Sequence, residues 1–170
     1  MRTLVVSPWS QRNLGGGVGQ LLRRHDLQVR VAYHSFALQE SDEAALAVPY
    51  PDESAFGEFL NVFPGRLDFH SAGHTHTAAV TVEVWDGPAT AWPREDWEEH
   101  QEAVLTTVGG ELAVWGMERA DDLVPLGQVG GRWRVRVGST GRAEVQRVTE
   151  DVGVAYGVEK WLVQLWPEPE

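Results

Sequence analysis

Histidines are the residues in this chain whose types and spacing most resemble a chemical site. Three of the six histidines, His70, His74 and His76, lie in the stretch HSAGHTHT, directly before an apolar run. On a β-strand His74 and His76 would point to the same face, and His34 could supply a further imidazole. Neutral imidazoles are ligands that suit zinc, iron and copper. One interpretation is therefore a metal-binding protein or a metal-dependent enzyme.

Other features of the sequence argue against a metal site. A cupin pattern needs a carboxylate three or four residues after the H-x-H pair, and Val80 or Thr81 stands there instead. The chain has no cysteine, which excludes thiolate ligands, Fe–S clusters and disulfides. Gly73 suggests a chain bend that turns His70 away from the pair. We therefore expect no cofactor, and expect the H-x-H pair to be polar residues on the solvent face of a strand.

Acidic and aromatic residues around positions 92–102 form the second candidate site. Paired carboxylates for glycoside hydrolysis would have to face each other across a cleft, whereas a run of acidic residues is more often a solvated face. A tryptophan in polar surroundings is often a binding anchor. No Gly-x-Ser-x-Gly motif is present, and the sequence favours a protein that is not an enzyme. The predicted binding residues are Trp92, Trp97, Glu95, Asp96, Glu98 and Glu99.

The first 26 residues lack the alternation of apolar and polar residues that begins at Leu27. The stretch NLGGGVGQLLRR invites comparison with phosphate-binding loops, but a Walker A loop needs Lys-Ser/Thr where Gln20 and Leu21 follow the last glycine. The segment QLLRRHD could form at most two helical turns. We predict that residues 1–26 are a flexible or loosely packed arm, and that residues 27–170 form one domain.

Period-two alternation of apolar and polar residues begins at Leu27 and predicts several short strands. The strongest alternation is in GGRWRVRVGSTG, with Trp133, Val135 and Val137 expected inside and the arginines between them outside. The segment WPREDWEEHQEAVL at 92–105 is the one convincing helical candidate beyond the arm, and the alternative is a single helical turn that runs into a strand. The predicted fold class is all-β (mainly β), an antiparallel β-sandwich with at most one or two short helices.

The balance of charges restricts the partners. The formal net charge of −11 repels nucleic-acid phosphates and anionic lipids and attracts a basic protein. No window approaches the apolar length of a membrane span, and the N-terminal apolar run is too short for a signal-peptide core. We therefore expect a cytoplasmic bacterial protein with a protein partner and with no nucleic acid or membrane partner.

Two stretches resemble known proteins. LQVRVAYHSFALQE at 27–40 resembles the opening strand of the ComJ-type competence proteins, small β-sandwiches whose named member inhibits a DNA-entry nuclease. RWRVRV (132–137) and EKWLVQLWP (159–167) are similar to the ending of uncharacterised β-rich proteins, common in actinobacteria, that finish in Leu-x-Gln-Leu-Trp-Pro. The resemblance implies a sandwich fold. The matching positions are Tyr33-His34 and residues 164–167, and the resemblance implies no binding role for them.

Three functional hypotheses follow. The first is a non-enzymatic protein-binding module, such as an acidic nuclease inhibitor or an immunity protein, whose partner is a basic nuclease or toxin. The alternative is the metal-binding protein or metal-dependent enzyme that would use His70, His74 and His76. A third is a carbohydrate-binding sandwich with exposed tryptophans, against which the lack of a recognisable secretion signal counts.

Overall fold

The computed structural model describes residues 2–5, 17–46, 57–90 and 97–169, which form two β-sheets packed face to face. Within these residues there is one α-helix, α1 (Arg142–Asp151), and a short 3₁₀ helix (Glu43–Ala45). The strands are β1 (Arg2–Val5), β2 (Leu21–Val31), β3 (Ser35–Glu40), β4 (Leu60–Phe63), β5 (Arg66–His70), β6 (His76–Trp85), β7 (Glu99–Thr107), β8 (Glu111–Trp115), β9 (Arg119–Pro125), β10 (Gly131–Thr140) and β11 (Tyr156–Pro167).

The two sheets differ in strand direction. Sheet A has six strands in the order β1-β2-β6-β11-β10-β7, and sheet B has five in the order β4-β5-β3-β8-β9. Neighbours in sheet B are antiparallel, whereas in sheet A β6 and β11 pair in parallel. The predicted mainly-β class is confirmed, with the correction that sheet A is mixed rather than purely antiparallel.

The inner faces of both sheets share one hydrophobic core, and its pattern follows the alternation in the sequence. Trp133, Val135 and Val137 on β10 are buried and Arg132 and Arg134 are exposed, as predicted. Arg136, also expected to be exposed, is half-buried because its guanidinium lies over the Trp166 ring and pairs with Glu102. The Trp133 indole Nε1 donates a hydrogen bond of 3.1 Å to the Thr107 hydroxyl, which satisfies its polar atom inside the core.

β2 begins earlier than the alternation from Leu27 predicted. Residues 21–26, interpreted from sequence as possible helical turns, are part of this strand, because Arg23–Asp26 pair with β1 on one side and with β6 on the other. Gly19, in the predicted hinge, packs so closely on Gly87 that a Cβ would lie 2.5 Å from its backbone. Gly15 and Gly16 lie outside the described residues, and the division into an arm and a domain at residue 27 stays a prediction.

The helix lies at a different place from the one predicted. Residues 99–105 of the helical candidate belong to β7, which pairs antiparallel with β10, and residues 92–96 lie outside the described part of the chain. The helix α1 follows Gly141, whose φ of 77° is left-handed and which provides no side-chain cap.

None of the helices in the described residues is long and apolar enough to cross a membrane.

Candidate functional site

A buried polar network joins the loop before β6 to the first part of β11. The Glu159 carboxylate, fully buried, accepts hydrogen bonds from the Ser71 hydroxyl at 2.5 Å, the Ala72 backbone N–H at 3.0 Å and Arg142 Nη1 at 3.1 Å. Arg142 Nη1 also donates to the His70 carbonyl oxygen at 3.1 Å. These bonds fix the loop between β5 and β6 against α1 and β11.

The pKa of Glu159 reflects this network. Burial is the largest single influence and raises the pKa, but His76, whose Nε2 lies 3.5 Å from a Glu159 oxygen, and the hydrogen bonds from Ser71 and the Ala72 backbone lower it, and the pKa is lowered as a result. Glu159 is therefore ionised at neutral pH, and the Arg142 guanidinium balances its charge at 3.1 Å.

The proton on the His76 ring follows from the same contacts. The Ser71 hydroxyl donates its single hydrogen to the Glu159 carboxylate, so Ser71 Oγ accepts the hydrogen bond from His76 Nε2 at 2.7 Å. Nε2 therefore carries a hydrogen in this arrangement. Among the residues that the structure describes, none forms a hydrogen bond with the other ring nitrogen of His76, Nδ1.

His76 differs from its predicted position. It is 2% exposed, whereas His74 is exposed in the loop before β6, so the two do not share the solvent face of a strand. Gly73 is required by close packing, since a Cβ there would lie 2.6 Å from His76 Cδ2. The sequence could not indicate this burial, because the partner Glu159 is distant along the chain.

Beside the network, the turn between β2 and β3 has an unusual backbone. Tyr33 and His34 have φ values of 52° and 64°, while Ala32 and Ser35 exchange backbone hydrogen bonds around them. Two-residue hairpin turns with both central residues left-handed usually contain Asn-Gly. Two bulky residues at these positions are strained, and such strain concentrates at functional sites.

Three imidazoles and the Tyr33 ring pack around this turn. The His34 ring stacks on His70 with centroids 5.3 Å apart and meets His74 edge-on at 5.2 Å, and the Tyr33 ring meets His74 at 5.1 Å. Burial, followed by the neighbouring His34 and Arg142, lowers the pKa of His70. His34 therefore joins His70 to His74, while His76 belongs to the buried network.

The metal interpretation of His70, His74 and His76 gains no support from this arrangement. Among the residues that the structure describes, no three histidine, aspartate or glutamate side chains form a group that could hold a metal ion. It stays a sequence-based prediction.

The predicted acidic binding residues have structural contacts. Both Glu98 carboxylate oxygens accept backbone N–H groups at the start of α1, from Gly141 at 2.7 Å, Arg142 at 3.1 Å and Ala143 at 3.0 Å. Glu99 lies 3.9 Å from Arg142 Nε. Glu95, Asp96 and Trp92 lie outside the described residues.

Trp97 lines a groove of about 280 Å³ on the outer face of sheet A, together with Arg24, Glu83 and Lys160. Glu83 is buried there and accepts hydrogen bonds of 3.0 Å from both Trp85 Nε1 and Gln164 Nε2. The role of Trp97 in binding remains a prediction.

Sequence reasoning did not single out the carboxylates at the β9 edge of sheet B. We use "β9 edge" for this edge strand together with the adjoining segment 41–43, which lies beside it because Arg119 Nη1 donates to the Ser41 carbonyl at 3.0 Å. The acidic residues of the β9 edge and its preceding turn are Asp42, Glu43, Glu118, Asp121 and Asp122. None forms an ion pair with another described residue.

Comparison with known proteins identifies the fold. No protein-family model and no curated protein sequence matches this chain. The crystal structure of ComJ, inhibitor of the DNA degrading activity of NucA, from Bacillus subtilis, is similar with a TM-score of 0.60 and 11% identity, over 89% of this chain and 100% of ComJ. The structure of Crocagin biosynthetic gene J is similar with a TM-score of 0.54 and 11% identity, over 86% of this chain and 97% of that one.

These similarities bear on the fold alone, because both identities are 11%. The sandwich fold implied by the resemblance of residues 27–40 to ComJ-type proteins is thereby confirmed.

Proposed function

We propose that this protein is a protein-binding module of the nuclease-inhibitor kind, which binds a basic DNA-degrading enzyme. The observation that carries the proposal is the fold shared with the whole ComJ chain, a nuclease inhibitor, at a TM-score of 0.60. The net charge of −11 supports it, because an acidic inhibitor attracts a basic nuclease and its carboxylates can take the place of DNA phosphates.

The β9 edge is the surface best suited to such a partner. Glu98 caps α1, Glu102 pairs with Arg136 at 3.1 Å and Glu99 lies near Arg142, so these acidic residues of the predicted 92–102 site have contacts within the molecule. Among the described residues, no cation forms an ion pair with a carboxylate of the β9 edge. A basic partner would therefore contact these carboxylates without first breaking an ion pair.

The edge position adds a second consideration. An edge strand leaves backbone N–H and C=O groups unpaired on one side, which another chain can use for pairing. Asp121 is exposed and faces outward, and Asp122 lies on the same side of the strand as the buried Val124. An inward charge discourages indiscriminate edge pairing, so the β9 edge favours a partner of complementary charge.

The binding surface can be tested with charge reversal. We would measure association of the full chain with NucA and with other purified DNA endonucleases of net positive charge by biolayer interferometry. For an endonuclease that binds, the double variant Glu118→Lys/Asp121→Lys should bind at least about tenfold more weakly, mainly through a slower association rate.

The matched control is Glu144→Lys/Glu150→Lys, which makes the same change of charge on the exposed face of α1. This control should retain most of the wild-type association rate at 0.15 M salt. Equal weakening by both variants would mean that net charge alone acts, and would contradict the assignment to the β9 edge. Failure of every basic endonuclease to bind the wild-type chain would contradict the proposed function.

A further inference from the structure

Exposed apolar and aromatic side chains come together at the end of the sandwich where β2 and β8 end and β11 begins. We use "hairpin-end patch" for the surface formed by Tyr33, Met117, Val154 and Tyr156 together with Arg30. Each of the four uncharged side chains is more than half exposed, and the Arg30 side chain is exposed as well. Single exposed apolar residues are ordinary on soluble proteins, whereas a contiguous group of them indicates an interaction site.

Contacts show that the members of the patch are contiguous. The Tyr33 ring meets the His74 ring edge-on at 5.1 Å, and Thr75 follows His74 in the chain. Thr75 lines a cavity of about 220 Å³, far more than one water molecule needs. The same cavity is also lined by Arg30, Val154 and Tyr156. The patch therefore has a depression at its centre and aromatic side chains around it, which is a shape suited to a protein partner.

Met117 connects the hairpin-end patch to the β9 edge. The preceding residue, Gly116, packs so closely on β2 that an added Cβ would clash with the Arg30 carbonyl oxygen. The following residue, Glu118, is one of the carboxylates of the β9 edge. A partner that covers Glu118 therefore also lies over Met117 and beside Arg30.

The backbone of Tyr33 supplies an independent observation. Its φ of 52° is unfavourable for a bulky residue, and its ring is mostly exposed, so burial does not offset the strain. Strain of this kind is retained where the position of a side chain serves a function. The turn holds the Tyr33 ring at the surface beside His74, and a pre-positioned ring loses little conformational entropy when a partner binds it.

We propose that the hairpin-end patch is the apolar part of the nuclease-binding surface, and that one basic DNA-degrading enzyme covers both this patch and the β9 edge. This inference rests on the proposed function. The carboxylates of the β9 edge attract and orient the enzyme, while the two tyrosines and Met117 form the contact that excludes water. Tyrosine, methionine and arginine are enriched at the centres of protein interfaces. Exposed charges mainly set the association rate, and buried anchors mainly set the dissociation rate.

The test measures the binding kinetics of the full chain by biolayer interferometry with an endonuclease that binds it. Tyr33→Asn and Tyr156→Asn should each dissociate at least about fivefold faster than the wild type at 0.15 M salt, with association rates within about twofold. Asparagine readily adopts the left-handed conformation, so Tyr33→Asn keeps the turn and removes only the ring. The faster dissociation should persist at 0.5 M salt, because salt screens charges and not apolar contacts.

Val129→Asn is the matched control. It removes an exposed apolar side chain from the turn before β10, at the opposite end of the sandwich, because β10 runs antiparallel to β11. This variant should dissociate at the wild-type rate. Equally fast dissociation of all three variants would mean that loss of any exposed apolar residue weakens binding, and would overturn the assignment to the hairpin-end patch.

The remaining outcomes separate this inference from the proposed function. If an endonuclease binds the wild type and dissociates from Tyr33→Asn and Tyr156→Asn at the wild-type rate, the inference is overturned and the proposed function stands. If no basic endonuclease binds the wild type, the proposed function fails, and so does the partner named here. Sedimentation velocity of the chain alone tests another occupant: a wild-type dimer that both variants convert to monomer would show that a second copy covers the patch, and would overturn the inference.

Discussion

At the scale of single residues, Glu159 determines the structure of the loop before β6. Its carboxylate accepts hydrogen bonds from the Ser71 hydroxyl, the Ala72 backbone N–H and the Arg142 guanidinium. Removing one partner of a buried ion pair leaves the other charge uncompensated, which destabilises the fold more than removing both partners does.

We therefore expect Glu159→Gln to lower the free energy of unfolding by about 3 kcal/mol at pH 7. Because the folded-state pKa of Glu159 is lowered, its contribution is present above the unfolded-state pKa of about 4.3 and is lost as the pH falls through the folded value. The difference in the free energy of unfolding between wild type and Glu159→Gln should therefore become smaller as the pH falls from 7 to 3.

Urea unfolding followed by circular dichroism at several pH values measures this difference. Glu144→Gln, which changes an exposed carboxylate on α1, is the control and should unfold like the wild type at pH 7. If the free energy of unfolding of Glu159→Gln differs from that of the wild type by the same amount at pH 7 and pH 3, the ionised carboxylate is not the stabilising species.

At the scale of elements, the hairpin between β2 and β3 has a strained turn. Tyr33 is 72% exposed, so its left-handed backbone is not compensated by burial of its ring. Asparagine adopts this conformation more readily than tyrosine. We expect Tyr33→Asn to raise the free energy of unfolding by about 0.5–1 kcal/mol, measured by urea unfolding.

Tyr156→Asn is the matched comparison, because Tyr156 is 69% exposed but lies in β11. Asparagine is unfavourable in strands, so this variant should be slightly less stable than the wild type. If Tyr33→Asn is also destabilising, the contact between the Tyr33 and His74 rings outweighs the backbone strain.

The helix α1 depends on a carboxylate from outside its own sequence. Glu98 receives the backbone N–H groups of Gly141, Arg142 and Ala143, the function that a capping side chain usually performs. Glu98→Ala should lower the free energy of unfolding by about 1–2 kcal/mol and accelerate hydrogen exchange within α1.

Glu102→Ala serves as the control, since Glu102 is exposed and its ion pair is with Arg136 of β10 rather than with α1. It should leave exchange in α1 unchanged. Equal exchange rates in α1 for Glu98→Ala and wild type would mean that water satisfies the helix N-terminus equally well.

The sequence predicted those elements whose pattern is local and missed those set by distant partners. The alternation of β10 identified its buried face because one side of each strand must pack on the core. The helix α1 has no local side-chain N-cap, since Glu98, the residue directly before β7, performs that role. Likewise, no feature near His76 indicates the contact with Glu159 that accompanies its burial.

At the scale of the whole molecule, the protein has a β-sandwich fold similar to that of ComJ and a net charge of −11. Association that is steered by charge is fast at low salt and slows as salt screens the two surfaces. Inhibition of a basic nuclease should therefore require less protein at 0.05 M than at 0.5 M salt when association is limiting.

The most direct measurement is a titration of nuclease activity. Supercoiled plasmid would be incubated with NucA or another basic DNA endonuclease and increasing amounts of the purified chain, with Glu118→Lys/Asp121→Lys as the comparison. We predict that at least one such enzyme loses its DNA-degrading activity at a stoichiometric amount of wild-type protein, and that the double variant inhibits it much less. Full activity of every enzyme in the presence of excess wild-type protein would contradict the account.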